Sequence, residues 1–154
     1  MDKALIDQYE AGPAKLKRAI VGMSRDELLA APIAGKWSTQ QVVIHLADAE
    51  SALADRMRRV IATVDPPLLA WDENQFAANL HYDVQSAEDA VAMVELTRRQ
   101  MARVLRALPD AAFQRTGVHS ESGKKTLTDL LTMAVTHLEH HLKFVDEKRT
   151  ALRK

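Results

Sequence analysis

Residues 37–67 read WSTQQVVIHLADAESALADRMRRVIATVDPP, and the fold class follows from this stretch. Ser38 can accept a hydrogen bond from the free amides of a first helical turn, and Gln41 stands three positions on to return the bond, the pattern of a capping box. From there Val42, Leu46, Ala49, Leu53, Met57, Val60 and Val64 recur at spacings of three and four, so one apolar stripe runs through about seven turns. Asp65-Pro66-Pro67 ends it, because proline lacks the amide that would continue the ladder and clashes with the preceding turn. A helix of this length buries its stripe against other helices.

Three more long helices flank it. Residues 3–23 put Leu5, Tyr9, Leu16, Ile20 and Met23 along one face, with a kink expected at Gly12-Pro13. Ser24-Arg25-Asp26-Glu27 is another capping-box pattern and opens a short helix. Ser86 caps the next long helix, whose inward face is Val91, Val94, Met101, Leu105 and Leu108, stopped by Pro109. The last, residues 127–152, is capped by Thr126 with Asp129 three positions on. Residues 68–85 hold Trp71, Phe76 and Tyr82 without a sustained period and read as a long connection with a turn or two of helix, and residues 115–123 read as a loop. The expected architecture is all-α: a single domain over residues 1–154, a four-helix bundle with long connections between helices.

Composition narrows the function classes. The 154 residues suffice for one core, and five glycines and five prolines in a chain 47% hydrophobic suit long periodic segments rather than many short strands. Lys plus Arg equals Asp plus Glu, 21 each, so no overall field favours nucleic acid or an anionic membrane, and no basic stripe is present. Without cysteine the chain has no disulfide, no thiolate of its own and no zinc-finger ligation, which leaves histidine and carboxylate as metal ligands. Charges interleave through the opening MDKALIDQYEAG, and no apolar run reaches membrane-spanning length. The expectation is a cytoplasmic protein that engages neither membrane nor nucleic acid.

The stripe of the last helix is broken by polar chemistry. Leu127, Leu130, Ala134, His137, His141 and Phe144 follow the helical spacing, so two imidazoles stand one turn apart where apolar side chains ordinarily pack. Helical histidines four apart share a face and can chelate one ion. His45, on the helix of residues 37–67, is a candidate third ligand, and three protein ligands leave a coordination position open for water or substrate. The same rings also have a second reading as core histidines, each bonded to a carbonyl or carboxylate, and residue logic alone leaves both open. His140, about 60° around the helix from His137, reads as flanking and solvent-facing. Asp48 either hydrogen-bonds a ligand imidazole or is an ordinary exposed aspartate, and His119 either lines the mouth of the site or is a solvated loop residue. The Glu-x-x-His of di-iron bundles, the His-Glu-x-x-His of zinc proteases, the P-loop and the dinucleotide fingerprint are all absent.

Taken in order, Trp37-Ser38, then Val43-Ile44-His45-Leu46-Ala47-Asp48-Ala49-Glu50, then Gly123-Lys124-Lys125-Thr126-Leu127 and Thr136-His137-Leu138-Glu139-His140-His141, the chain resembles the DinB-like (YfiT-like) family over nearly its whole length. The resemblance implies a four-helix bundle in which His45, His137 and His141 bind a divalent metal ion such as nickel, zinc or iron, commonly in a homodimer. It also implies metal-dependent hydrolysis, or S-transfer and maleylpyruvate isomerisation with a low-molecular-weight thiol such as bacillithiol or mycothiol, acting on a small-molecule substrate. No catalytic residue beyond the ligands is assigned. One departure is Phe144, where many relatives carry a polar residue, often glutamine; it implies a more apolar site.

Overall fold

Three capping boxes start three of the helices at the residues expected. Ser24, Ser38 and Thr126 each accept from the backbone amide three positions on, and Glu27, Gln41 and Asp129 each return a side-chain bond. The structure, a computed structural model, describes residues 3–153. In order it contains α1 (Lys3–Ile20), α2 (Arg25–Leu29), α3 (Thr39–Ala62), β1 (Pro67–Leu68), α4 (Glu73–Asn79), α5 (Ala87–Ala107), a 3-10 turn (Asp110–Gln114), β2 (Thr116–His119), β3 (Gly123–Thr126) and α6 (Leu127–Leu152). Among the described residues no helix is long and apolar enough to cross a membrane.

The four long helices form the bundle. Both α1 and α3 pack against α5 and against α6, so α1 and α3 lie across one diagonal and α5 and α6 across the other. The diagonal steps α1–α3 and α5–α6 cross the ends of the bundle and carry α2 and the β2–β3 hairpin, while the longest connection, with β1 and α4, joins the neighbours α3 and α5. Helix α3 is buried nearly all round, Val43, Ile44, Ala47 and Ala54 joining the expected stripe, because α2, α4 and β2 cover its remaining faces.

Three expectations are corrected. Residues 115–123 are not a loop: β2 and β3 pair antiparallel from Thr116↔Thr126 to His119↔Gly123, and β1 adds to β2 in parallel through Pro67↔Val118. The strands hold too few residues to show a period of two, and Gly117 admits β1, since a Cβ there would stand 2.9 Å from the Leu68 side chain. Val64 is not part of the α3 stripe; the helix ends at Ala62 and Val64 is 87% exposed. Helix α1 ends at Ile20 rather than at residue 23, with Gly12-Pro13 inside it.

The core falls into two apolar clusters, one around Met57, Met101 and Leu130 and one around Ile44, Val94 and Val145. Between their levels runs a buried polar layer in which Arg98 Nε donates to Glu50 at 2.7 Å and the Tyr9 hydroxyl donates to Glu50 at 2.5 Å.

Candidate metal centre

His45 comes from α3 and is 1% exposed; His137 and His141, one turn apart on α6, are half-buried. The structure brings the three together. One ring nitrogen from each lies within 4.8 Å of the other two, and His45 Nε2 is 3.2 Å from His137 Nε2. The rings of Trp37 and Trp71 lie 5.3 and 5.6 Å from that of His45, and Phe144 lies 5.4 Å from His141.

Burial and mutual proximity keep these rings uncharged. Removal from water is the larger cause in each case and the neighbouring imidazole the next, His141 acting on His45, His45 on His137 and His137 on His141; together they push all three down to about 4. A neutral imidazole has one N–H and one lone pair, and these three rings share a single mutual hydrogen bond. His45 Nδ1 and His141 Nδ1 are buried without any partner. An ion would engage the facing Nε2 lone pairs of His45 and His137 and leave His45 Nδ1 as it is, so the fit to a divalent ion rests on the convergence of the three rings. Two nitrogens bound to one tetrahedral ion at roughly 2.0–2.1 Å stand about 3.3–3.4 Å apart, close to the 3.2 Å between His45 and His137. A site of imidazoles without thiolate suits a first-row divalent metal ion.

The other residues read from the sequence stand outside the cluster, although the His140 ring borders that of His141 at 5.7 Å. Asp48 is half-buried and accepts from the Tyr82 hydroxyl at 2.5 Å, so it neither orients a histidine nor lies free on the surface. Burial first, and that bond next, push the Tyr82 hydroxyl up, which keeps it the donor. His140 is exposed and packs on Phe144 with ring centres 4.7 Å apart. His119 lies on β2, where its Nδ1 accepts from the amides of Glu121 and Ser122 at 3.3 Å, closing the hairpin turn.

Two residues at the site escaped the sequence reading. Glu73, the first residue of α4, brings Oε2 to 3.7 Å from His45 Nε2. Its segment has no period to mark a face, and Asp72 as the cap of a two-turn helix is the local hint. Lys148 was legible, since it continues the α6 spacing of His137, His141 and Phe144 by one further turn. Both residues line a cavity of about 270 Å³ together with Lys36, Trp37, His141 and Phe144. A smaller opening of about 170 Å³ is lined by His45, Arg56, Trp71, Glu73 and His137. The histidines are therefore reached from two openings, with Glu73 bordering both.

Comparison with known proteins places this geometry. Several similar proteins carry the name "Putative metal-dependent hydrolase". One from Oceanobacillus iheyensis is 26% identical over 137 residues, 89% of this chain and 79% of its own length. YfiT of Bacillus subtilis is 27% identical over 143 residues, 92% and 80%. The solved structure of YfiT, described as having "an unusual four-helix bundle topology", matches with a TM-score of 0.90 at 26% identity, covering 97% of this chain and 86% of that one. The mycothiol-dependent maleylpyruvate isomerase matches with a TM-score of 0.71 at 13% identity, covering 90% of this chain and 58% of that one, and shares the fold. A profile of the DinB superfamily matches residues 8–145, a span that takes in His45, His137 and His141, and the chain belongs to that superfamily.

Proposed function

We propose that the chain is a metal-dependent enzyme in which His45, His137 and His141 hold a divalent ion and a low-molecular-weight thiol or a water attacks a small electrophilic substrate, whose leaving group departs with the electrons of the bond that breaks. One observation carries this reading: three uncharged imidazoles from two helices converge beside a cavity that reaches His141 and Glu73. When bound, the ion supplies Lewis acidity and lowers the pKa of a thiol or water in its open position. The chain's residues do the rest. The histidines orient the ion, and the rings of Trp37 and Trp71 shield the His45 side from bulk water. Glu73 is the carboxylate placed to take the proton that the nucleophile sheds. In the transferase form a cysteine-free chain takes its thiol from a cosubstrate, while the names of the relatives support the hydrolase form.

The test begins with metal analysis of tag-free protein and of His45→Ala, His137→Ala and His141→Ala. Each substitution is expected to lower occupancy, and unchanged occupancy in all three sinks the reading. Turnover of an electrophile such as monobromobimane with a panel of thiols, against water alone, then separates transferase from hydrolase. The nearness of Glu73 to His45 also favours a second reading, in which Glu73 closes the site as a fourth ligand and the ion only ties α3 to α6. Glu73→Gln separates the two: activity lost with metal retained supports the proton acceptor, and metal lost supports the closed site.

A further inference from the structure

The cavity beside His141 has a charged end that three-histidine chemistry does not use. Lys148 lies seven residues beyond His141, two turns along the same face of α6, and is 3% exposed. Its ammonium donates one hydrogen bond, to the Phe144 carbonyl at 3.3 Å, and lies 5.6 Å from the centre of the Phe144 ring. No ion pair engages it among the described residues. An ammonium has three donors, and burying its charge without a counter-ion is unfavourable. Burial pulls Lys148 below the ordinary lysine range and Lys36 pulls the same way, while Glu147 opposes them. Lys36 and Lys148 line the same cavity.

The cavity is polarised along its length. At the histidine end Glu73 is turned toward His45, 3.7 Å away. At the other end stand the two lysines, with Glu147 exposed to solvent beside Lys148. Phe144 supplies apolar wall between His141 and Lys148 on α6, and Trp37 adds apolar wall beside His45. The volume of about 270 Å³ falls just under the roughly 300–1,000 Å³ usual for ligand pockets, which suits a small metabolite and excludes a polymer.

We propose that this cavity binds a small molecule through a carboxylate or phosphate group held by Lys148 and Lys36, with the other end of the molecule directed at the three histidines. The direction of the ligand rests on the function proposed above; the anion subsite itself requires no metal. Lys148 supplies the unused donors and Lys36 adds charge nearer the surface. A charged hydrogen bond of this kind changes affinity by roughly ten- to a hundredfold.

The experiment is a titration of the full-length, metal-free protein, followed by ¹H–¹⁵N shifts of the Lys36 and Lys148 amides and the Trp37 indole. Inorganic phosphate and succinate are the anionic probes, and their relative affinity assigns the group to phosphate or carboxylate. Succinamide is the neutral control. Saturable shifts are expected with at least one anion and none with succinamide; Lys148→Met should weaken binding about tenfold or more, and Lys148→Arg should restore most of it. Lys36→Gln, at an exposed position, should weaken binding less and tests the same subsite should Lys148→Met fail to fold. Equal binding of succinamide, unchanged affinity in Lys148→Met, or no saturable shift with either anion overturns the proposal. Repeating the titration with nickel separates the two ideas: anion binding without metal binding leaves the subsite standing, and metal binding without anion binding removes the subsite alone.

Discussion

His45, His137 and His141 carry a pH dependence whose sign follows from burial. Each is pushed down to about 4 from an ordinary value of 6.5. Between those values the unfolded chain holds protons that the folded chain rejects, so the contribution to stability is complete above about 6.5 and is lost as pH falls toward about 4. The metal-free protein should therefore melt at progressively lower temperature from pH 7 down to pH 4. The combined His45→Ala, His137→Ala and His141→Ala variant should show a flatter profile over that interval, with the carboxylates common to both cancelling in the comparison. Equal slopes would show that the rings protonate freely in the folded state. At this scale the sequence carried more than periodicity alone extracts: Arg98 completes the spacing of Val91, Val94, Met101 and Leu105 on α5, and Lys148 continues that of α6. A charged residue on an apolar stripe is a local signal of a buried partner, but the partner's identity is not local.

Within a single element, Gly12-Pro13 shows how a helix-breaking pair serves packing. Pro13 has no amide to give the Tyr9 carbonyl its helical partner, and Arg98 Nη1 takes that place at 3.1 Å. A Cβ on Gly12 would stand 2.4 Å from the same Nη1. Arg98 cannot retreat cheaply, since Nη2 donates to the Ala134 carbonyl at 2.6 Å and Nε to Glu50 at 2.7 Å. Gly12→Ala should therefore destabilise by about 1–3 kcal/mol despite alanine's better helix propensity, read as a lower urea midpoint with the slope unchanged. Arg98→Met should lose more, about 3–5 kcal/mol, because Glu50 is left buried and unpaired. Proline's effect on a helix depends on what replaces the missing bond, and here another helix replaces it. The capping boxes of α2, α3 and α6 were legible because donor and acceptor lie within one turn.

For the whole molecule, an ion at the three histidines would join α3 to α6, two helices already packed side by side. Nickel at about a thousand times its Kd should add ~4 kcal/mol to the folded state, or roughly 8–16 °C of melting temperature for a domain of this size. A chelator should reverse the shift, and His137→Ala should show none; a rise of equal size in His137→Ala would place the ion elsewhere. Capping and the helical period, both contained within a few turns of chain, were enough to specify the four long helices, most of their ends and the shared face of His137 and His141. The meeting of His45 with His137 across 92 residues, the approach of Glu73 from a segment without periodicity, and the opening of a cavity at Lys148 all rest on the way the helices stack. Periodicity within a segment marks which face is buried, but not which neighbour covers it. That neighbour is chosen by packing between distant segments, which sets α3 beside α6.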